Sequence, residues 1–527
     1  MTDQILTPAT GRIRRRRSIV LTGLAVVGAL AIVFRSDLAH ANDVVREAAD
    51  GAVTTFLHWS VLACLAYFLV VFTFYGVLLV FASVDGAIRN RQRSAEDFDA
   101  LENSRFTIPV SILSAVYNEE PVAVASTRTL LEQDYPLLEV ILVDDGSTDG
   151  TFERLEEAFE LEQVEVFVRQ IIEAYAVTGV YRSRTDPRLT VVRKPNGGNK
   201  SDAVNCALNF ARYRYILGVD GDTMYRSDAL LLGMRLVMRN PATVVGVTGT
   251  IASSSRPEVA HEEQAGSRCL DRNLLTSFQQ LDFMRSFFNN RLAWSRLNFM
   301  LCSPGAFCIW RRDVLEEVGG FTREFTCEDI EMTFRVHEKF RREGRPYEIL
   351  CVPETVATTE APARLRGLIK QRARWQRVTL ETLVHYRRML CNPRYGIVGW
   401  IGMPFYAVTE AIAPLFEVLA VVTFVGAAWF GVVNWLLFAT MLGIMAFSTA
   451  TLTTAAVLLA DRTARAYGLG SLVRMILLGP LDLFLYRPIL MWARARGTWD
   501  FLRGRKDWDK FERNLRPALP ASPEPQH

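Results

Sequence analysis

Long apolar segments flank a central region in which short apolar runs alternate with polar ones. Each segment is long enough, or nearly so, to cross a bilayer, and together they cover residues 18–34, 59–84, 413–433, 436–459 and 471–491. The last segment is the least apolar, because it contains Arg474, Asp482 and Arg487. The pattern predicts membrane helices at both ends of the chain.

The residues that flank these segments predict the side of the membrane on which each end lies. The basic cluster 12–17 precedes the first segment and predicts a cytoplasmic N-terminus. Residues 39–41 (AHA) also fit a signal-peptidase site, so a cleaved signal peptide stays open. Residues 397–412 are shorter and carry Glu410, which favours an interfacial helix. Three C-terminal crossings would place the basic stretch 494–516 on the side of the membrane away from the cytoplasm, whereas basic stretches favour the cytoplasmic side. We therefore expect that one segment is re-entrant or that residues 397–412 cross the membrane.

The central region, residues 106–394, has the pattern of an α/β domain. A longer connection follows the second strand, and its residues 152–165 predict a helix. Parallel strands in such folds alternate with amphipathic helices and read as short Val, Ile and Leu runs. We predict a mostly parallel sheet with strands at 110–114, 140–143, 189–192 and 215–219.

Composition and charge limit the classes of function. Half of the 527 residues are hydrophobic, which is high for a soluble chain, and the net charge of +3 is too small to indicate nucleic-acid binding. The eight cysteines show no metal-ligand spacing. We predict four parts: a basic N-terminus with two membrane helices, a cytoplasmic catalytic domain, an interfacial helix with the C-terminal membrane helices, and a basic then disordered tail, at 1–95, 96–395, 396–492 and 493–527.

Acidic residues follow two of the predicted strands. Asp220 and Asp222 are two residues apart, so in extended backbone they share a face and could hold Mg²⁺ or Mn²⁺ through oxygen ligands. The alternative is a plain Asp-Gly turn after a strand. Asp144 and Asp145 end an earlier strand, where carboxylates can accept hydrogen bonds from a ligand, although one of them could instead cap a helix beginning near Gly150.

Two later motifs also permit a structural interpretation. Thr326 and Asp329 have the spacing of a helix cap, yet Asp329 could also serve as a general base. In the sequence QRARW, Gln371, Arg374 and Trp375 share one helical face. The basic residues around them would equally suit a helix on a membrane surface.

Taken in order, these motifs resemble those of the membrane-integral processive glycosyltransferases of family 2, which include cellulose, hyaluronan and poly-N-acetylglucosamine synthases. The stretch KPNGGNKSDAVN resembles the NGGKxxALN loop of that family, with Asn199 as an extra residue. In the sequence TCED, Cys327 stands where the family's TED-type motif has threonine.

The resemblance implies a GT-A type nucleotide-sugar-binding domain inserted between membrane helices. It also implies a role for each motif. Asp329 would be the catalytic base, the metal would be held by Asp220 and Asp222, and the acceptor would contact Trp375 and Glu328. The donor nucleotide and its diphosphate would contact Asp144, Asp145, Lys200, Asp220, Gln371 and Arg374.

The resemblance favours an inverting enzyme that moves a sugar from a UDP-sugar onto a growing polysaccharide and exports the product across the plasma (inner) membrane. Mg²⁺ or Mn²⁺ would be the cofactor, and an accessory export subunit is a possible partner. Transfer of one sugar to a lipid acceptor is the first alternative. A catalytically inactive channel or signalling partner is the second, and the intact acidic motifs argue against it.

Overall fold

The computed structural model describes residues 52–93, 107–255, 270–464 and 467–505. These residues fall into two compact units. The first unit combines the described part of Met1–Leu69 with Phe416–Met445, and the second combines Val70–Leu415 with the described part of Ala446–His527. Every predicted site residue belongs to the second unit.

The first unit consists of helical segments held together by aromatic packing. The Tyr67 ring stacks on Phe416 with centroids 4.2 Å apart and an interplanar angle of 2°, and Phe424 stacks on Phe438 at 4.3 Å. Stacked aromatic pairs add to the stabilisation that their buried area provides.

The second unit contains a ten-stranded sheet with the order β3-β4-β5-β2-β1-β6-β9-β8-β10-β7. Four adjacent strands form a parallel group in the order β5-β2-β1-β6. Strand β8 also runs parallel to β10, whereas all other neighbouring strands in the sheet are antiparallel. The strands are β1 (Val110–Val116), β2 (Leu138–Asp144), β3 (Leu161–Gln163), β4 (Gly179–Ser183), β5 (Leu189–Arg193), β6 (Tyr215–Asp220), β7 (Met224–Tyr225), β8 (Val244–Ser254), β9 (Phe307–Arg311) and β10 (Glu348–Glu360).

Helices cover the sheet and continue toward both ends of the described chain. The α-helices are α1 (Ala52–Arg93), α2 (Ala123–Leu131), α3 (Thr151–Phe159), α4 (Lys200–Phe210), α5 (Ala229–Arg239), α6 (Leu274–Met284), α7 (Leu292–Leu297), α8 (Arg312–Glu317), α9 (Glu328–Glu343), α10 (Leu365–His385), α11 (Met403–Tyr406), α12 (Ala413–Trp429), α13 (Trp435–Ala464), α14 (Leu469–Leu485) and α15 (Arg487–Leu502). Shorter elements are the π-helical turns Arg285–Arg291, Val398–Gly402 and Ala407–Ala411 and the 3₁₀ turns Arg387–Met389 and Pro393–Tyr395.

The α/β prediction is confirmed, and each of the four predicted strands is present with one to three extra residues. The sheet is mixed, however, because β9 and the outer strands β3, β4 and β7 pair antiparallel. The predicted helix over 152–165 is too long. It ends at Phe159, since Glu160 adopts a left-handed conformation with φ of 47° and Leu161–Gln163 pairs with β4.

Among the described residues, two helices are long and apolar enough to cross a membrane, Thr55–Ile88 and Trp435–Arg462. They contain the predicted segments 59–84 and 436–459. Two bent pairs, Val398–Ala411 with Ala413–Trp429 and Leu469–Leu485 with Arg487–Leu502, bend by 42° and 51°. Each pair is either a broken span or a re-entrant loop. The choice predicted from the sequence, a re-entrant segment or a crossing by residues 397–412, therefore stays open.

Several predictions fall outside the described residues. These are the first apolar segment with its basic cluster, the signal-peptidase site and most of the C-terminal tail. The predicted boundary at residue 95 lies in the undescribed stretch 94–106. The domain boundaries therefore stay predictions.

Candidate active site

The predicted site residues converge on one cavity of about 800 Å³ in the second unit. It opens beside the carboxyl ends of β1, β2 and β6, where open α/β sheets bind their ligands. The starts of α4 and α9, one face of α10 and the π-helical turn Arg285–Arg291 complete its wall. Nine of the predicted residues line it: Asp145, Lys200, Asp220, Asp222, Glu328, Asp329, Gln371, Arg374 and Trp375.

Asp144 is the predicted site residue that does not line the cavity. Its fully buried carboxylate accepts a hydrogen bond from the Ser147 amide at 3.0 Å and lies 3.5 Å from the Arg193 guanidinium. Asp144 therefore shapes the turn after β2, and its predicted contact with the nucleotide stays a prediction. Neither Asp144 nor Asp145 caps α3, because Asp149 accepts the hydrogen bond from the Thr151 amide at the start of that helix.

Asp145 reaches the cavity and is held by a buried ionic network. Its carboxylate pairs with Lys194 and accepts a hydrogen bond from the Gly197 amide at 3.1 Å. Lys194 also lies 2.7 Å from Asp202, which pairs in turn with Arg323. A buried charge persists only when it is paired. The network therefore links the turn after β2 to the loop that precedes α9.

Lys194 and Asp202 were not recognised from the sequence as site residues. Both lie in the glycine-rich stretch in which the sequence indicated Lys200. Two signals in the sequence could have indicated them: a lysine directly after an apolar strand, and an aspartate in the first turn of the next helix. Such side chains are seldom buried unless they are paired with each other or with another charge.

The extra residue Asn199 has a clear structural role. Its side chain accepts a hydrogen bond from the Ser201 amide at 2.9 Å and so caps α4. Lys200 becomes the first residue of the helix, and its ammonium group pairs with Asp220 and lies 3.5 Å from Glu328. Although burial alone would lower the pKa of Lys200, these carboxylates outweigh it and raise the pKa.

Asp220 and Asp222 lie together at the end of β6 and both line the cavity. Burial, reinforced by the charge of Asp220, raises the pKa of Asp222 to about 6. No group of three or more His, Cys, Asp or Glu residues suited to a metal ion occurs in the described part of the chain. The pair nevertheless fits Mg²⁺ or Mn²⁺, since such ions are held by one or two carboxylates when substrate phosphates and water complete the shell.

Asp329 lies in the first turn of α9 and faces the cavity. One carboxylate oxygen accepts a hydrogen bond from the Gly305 amide at 2.8 Å. Burial and then the charge of Glu328 raise the pKa of Asp329 to about 6. Thr326 and Asp329 do not form the predicted helix cap, because the amide and hydroxyl of Thr326 both donate to Glu381. Cys327 is the N-cap residue of α9, and its side chain makes no capping hydrogen bond.

The face of α10 that carries Gln371, Arg374 and Trp375 lines the cavity. The helix is held in place by α15, where Gly497 comes so close that a Cβ atom there would lie 2.3 Å from the Ala373 carbonyl oxygen. The Arg372 guanidinium stacks 4.4 Å above the Trp375 ring. The start of α10 also carries exposed basic residues, which are Arg364, Arg366 and Lys370. The helix therefore has both a cavity face and a basic face.

Comparison with known proteins gives one matching family model, Glycosyl transferase family 2, over residues 111–319. The chain is 23% identical over 275 residues to a poly-beta-1,6-N-acetyl-D-glucosamine synthase of Staphylococcus epidermidis, a match covering 52% of this chain and 55% of that protein. It is 27% identical over 308 residues to a beta-monoglucosyldiacylglycerol synthase of Nostoc sp., covering 58% of this chain and 56% of that protein. The chain thus spans about half the length of the curated relatives it matches.

Among solved structures, a mannosyltransferase from Pyrobaculum calidifontis in complex with GDP-Man and Mn²⁺ superposes with a TM-score of 0.45 at 17% identity, covering 82% of this chain and 99% of that one. The family match covers the strands and loops that carry Asp145, Lys200, Asp220 and Asp222. Residues 111–319 of this chain therefore form a domain of glycosyl transferase family 2 within a GT-A type α/β fold.

Proposed function

We propose that this protein is an inverting glycosyltransferase that moves a sugar from a UDP-sugar onto a growing polysaccharide. The observation that carries the proposal is the convergence of Asp220, Asp222, Asp329 and Trp375 on one cavity. A transferase needs a donor site, a base and an acceptor surface within reach of one another. The cavity of about 800 Å³ is large enough for a nucleotide sugar together with an acceptor.

The donor end of the cavity is assigned to the residues near β2, β6 and α4. Asp145 would accept hydrogen bonds from the nucleotide, and Lys200 would pair with the diphosphate. Gln371 and Arg374 would approach the same phosphates from α10. The Gln371 side-chain oxygen is enclosed and has no hydrogen-bond partner within the described residues, which is consistent with a partner that the ligand supplies.

The ion held by Asp220 and Asp222, when bound, would neutralise the charge that develops on the leaving diphosphate. Without that ion, Lys200 is the cation that the structure offers to Asp220. The donor therefore meets a site that already contains one positive charge next to the paired carboxylates.

Asp329 would act as the general base. Its carboxylate would take the proton of an acceptor hydroxyl while that oxygen forms a bond to the anomeric carbon and the bond to the diphosphate breaks. With a pKa of about 6, Asp329 is ionised at neutral pH. The Gly305 amide donates to one carboxylate oxygen and the Ile330 amide donates to the other at 2.7 Å, so two hydrogen bonds hold the carboxylate at the cavity wall.

Trp375 would provide the surface on which the acceptor sugar rests. Its ring lies 6.2 Å from Phe283, so two aromatic faces border this part of the cavity. The apolar faces of sugar rings pack well on aromatic side chains, while their hydroxyl groups stay available for hydrogen bonds. Glu328, on the same turn as Asp329, would help to orient the acceptor.

We place the protein in the plasma (inner) membrane with its catalytic domain on the cytoplasmic side, where UDP-sugars are made. The membrane helices and the basic segments that flank them support this orientation. We also propose that the product is exported between the C-terminal helices, with or without an accessory subunit.

A glycolipid product is the second candidate, because the chain is also similar to the glucosyldiacylglycerol synthase of Nostoc sp.. Both candidates use the same donor chemistry and differ in the acceptor. The size and solubility of the product therefore distinguish them.

The test uses membranes containing the full chain, a panel of radiolabelled UDP-sugars, and Mg²⁺ or Mn²⁺. Products are separated by size and by chloroform extraction, and Asp329→Asn membranes serve as the inactive control. High-molecular-weight product from the wild type alone supports polymer synthesis and identifies the sugar. Small chloroform-soluble product supports the glycolipid alternative. Absence of any wild-type product above that of Asp329→Asn, with every donor and either metal, contradicts the proposal.

A further inference from the structure

A short basic loop, residues 386–396, follows α10. It contains the 3₁₀ turns Arg387–Met389 and Pro393–Tyr395 and leads into the π-helical turn Val398–Gly402. The surrounding stretch, residues 382–409, contains three arginines and no acidic residue. This basic loop lies outside the cavity, and the proposed sugar transfer assigns it no role.

The arginines of the basic loop are not balanced by acidic side chains. All three are exposed, and none forms an ion pair with a described residue: Arg387, Arg388 and Arg394. Nearby cations behave differently, since Lys339 lies 3.2 Å from Glu317 and Arg345 lies 3.1 Å from Glu343. The basic loop therefore presents positive charge that a partner outside the described residues has to neutralise.

Close packing fixes the backbone of the basic loop. Gly399 approaches it so closely that a Cβ atom there would lie 2.4 Å from the Asn392 carbonyl oxygen and 2.8 Å from that of Met389. The Cys391 amide donates to the Gly399 carbonyl at 3.0 Å. The Asn392 side chain accepts a hydrogen bond from the Arg394 amide at 3.1 Å. The arginines are therefore carried on a defined surface at the start of the next helical segment.

Exposed apolar side chains accompany this charge. Leu390 is 40% exposed, Trp400 is 58% exposed and Ile401 is 40% exposed. The segment Val398–Ala411 belongs to one of the two bent helix pairs that have the length and composition of a membrane span. Tryptophan is enriched where lipid headgroups meet acyl chains, and arginines beside apolar side chains are typical of segments that lie at this depth.

The chemistry of this surface distinguishes between partners. An acidic soluble protein would satisfy the arginines but leave the apolar side chains in water. A zwitterionic lipid would cover the apolar side chains, but its own cation would compete with the arginines for its phosphate. An anionic phospholipid supplies a phosphate with surplus negative charge and an apolar layer, and guanidinium groups bind phosphate through paired hydrogen bonds.

The basic loop is joined to two helices of the candidate active site. It begins directly after His385, the last residue of α10, whose cavity face carries Trp375. Its first residue, Tyr386, donates a hydrogen bond from its hydroxyl to Glu331 of α9 at 2.5 Å. Asp329 lies in the first turn of the same helix. A headgroup bound to the loop would therefore help to hold both helices in place.

We propose that the basic loop binds the headgroups of anionic phospholipids at the membrane surface, through Arg387, Arg388 and Arg394, and that this contact supports sugar transfer in the cavity. The binding part of this inference rests on the candidate membrane helices and not on the identity of the sugar. The part that concerns activity rests on the proposed function.

The test measures which lipid the purified full chain retains. The protein is equilibrated in micelles that contain equal amounts of phosphatidylglycerol and phosphatidylcholine, passed through a gel-filtration column, and analysed for bound phospholipid by mass spectrometry. The test variant combines Arg387→Gln, Arg388→Gln and Arg394→Gln. The matched control removes the same charge from three exposed arginines between β3 and β5: Arg169→Gln, Arg182→Gln and Arg184→Gln. None of the six forms an ion pair with a described residue, so both variants should fold.

The wild type and the control should retain phosphatidylglycerol in preference to phosphatidylcholine. In the test variant, we expect this ratio to fall at least about five-fold, because a single arginine near an anionic surface contributes a factor of about five. Added salt should lower the wild-type ratio, whereas about 10 mM inorganic phosphate at constant ionic strength should not. An unchanged ratio in the test variant overturns the inference, as does an equal fall in the control. Displacement of the lipid by inorganic phosphate would assign the arginines to a free anion and also overturn it.

A second measurement follows initial rates of sugar transfer in vesicles. Replacing about one-third of the phosphatidylcholine by phosphatidylglycerol should raise the rate of the wild type and the control about two-fold or more, but not that of the test variant. An equal rise in all three contradicts the link to activity. If no protein transfers sugar with any donor, the proposed function fails, whereas the ratio of retained lipids still decides whether the basic loop binds anionic headgroups.

Discussion

Asp329 should lose its ability to act as a base when the pH falls through 6. Burial and the neighbouring Glu328 raise its pKa to about 6, compared with an ordinary value of 3.8. A base works only in its deprotonated form, so kcat/KM should be on a plateau above pH 7 and fall below pH 6. An exposed aspartate in the same role, with a pKa of about 3.9, would keep the plateau down to about pH 5.

The size of the effect follows from this pKa. About nine-tenths of the protein would carry ionised Asp329 at pH 7, about one-half at pH 6 and about one-tenth at pH 5. A tenfold loss of transfer between the plateau and pH 5 is therefore expected. Protonation of Asp329 should not unfold the protein and so add to this loss of activity. A carboxyl group whose pKa is raised in the folded state stabilises the fold at low pH, and that stabilisation is lost as the pH rises through 6.

The assay measures initial rates of sugar transfer from pH 4.5 to 8 at fixed free Mn²⁺ and limiting acceptor. UDP binding is measured in parallel at each pH. Asp222 also has a raised pKa of about 6, and its protonation would weaken donor binding. A loss of rate with unchanged UDP binding therefore points to Asp329.

Two variants complete the experiment. Asp329→Asn should reduce kcat by about 10²- to 10⁴-fold and remove the step near pH 6 from whatever activity remains, while UDP binding is retained. Asp134→Asn changes an exposed aspartate outside the cavity and should behave like the wild type. Near-normal transfer by Asp329→Asn, or a step near pH 6 in its residual rate that UDP binding does not share, would refute the reasoning.

Three other substitutions have outcomes that the site geometry predicts. Asp222→Asn removes one of two carboxylates, so the Mn²⁺ concentration for half-maximal UDP binding should rise at least about ten-fold in calorimetry. Lys200→Gln removes the cation beside Asp220, and the Kd for UDP should rise about ten-fold or more; an unchanged Kd would argue against diphosphate contact. Asp202→Ala leaves Lys194 without one carboxylate partner and should cost about 3–5 kcal/mol of stability, measured by denaturant unfolding.

The sequence predicted the strands that carry the site better than it predicted the sheet as a whole. β1, β2, β5 and β6 are short apolar runs, buried on both faces, and their pattern has no competing interpretation. The antiparallel strands β3 and β7 are only three and two residues long, so they leave almost no periodic signal. The mixed character of the sheet depends on such strands and on chain reversals that a local pattern does not record.

Local sequence also left each acidic motif with two interpretations. A pair such as Thr326 and Asp329 fits a helix cap or a catalytic base equally well, because a carboxylate in the first turn of a helix can serve either purpose. The structure separates the two through contacts with distant residues. Thr326 bonds Glu381, and Asp329 bonds the Gly305 amide. Partners 55 and 24 residues away in the chain cannot be read from a motif.

The same two causes, burial and then a neighbouring carboxylate, raise the pKa values of both Asp222 and Asp329. The cavity brings Asp220, Asp222, Glu328 and Asp329 together, and Asp220, Glu328 and Asp329 raise the pKa of Lys200. One ammonium group cannot neutralise so many buried carboxylates, and each carboxylate therefore disfavours ionisation of its neighbour.

Such a surplus of negative charge would repel a diphosphate unless another cation entered with it. The donor should therefore bind poorly alone and well together with Mg²⁺ or Mn²⁺, because the ion would offset the carboxylates and the phosphates at once. Lys200 already serves Asp220 and Glu328, and Arg374 is the other cation assigned to the phosphates. The same surplus that raises the pKa of the base thus makes donor binding depend on the metal.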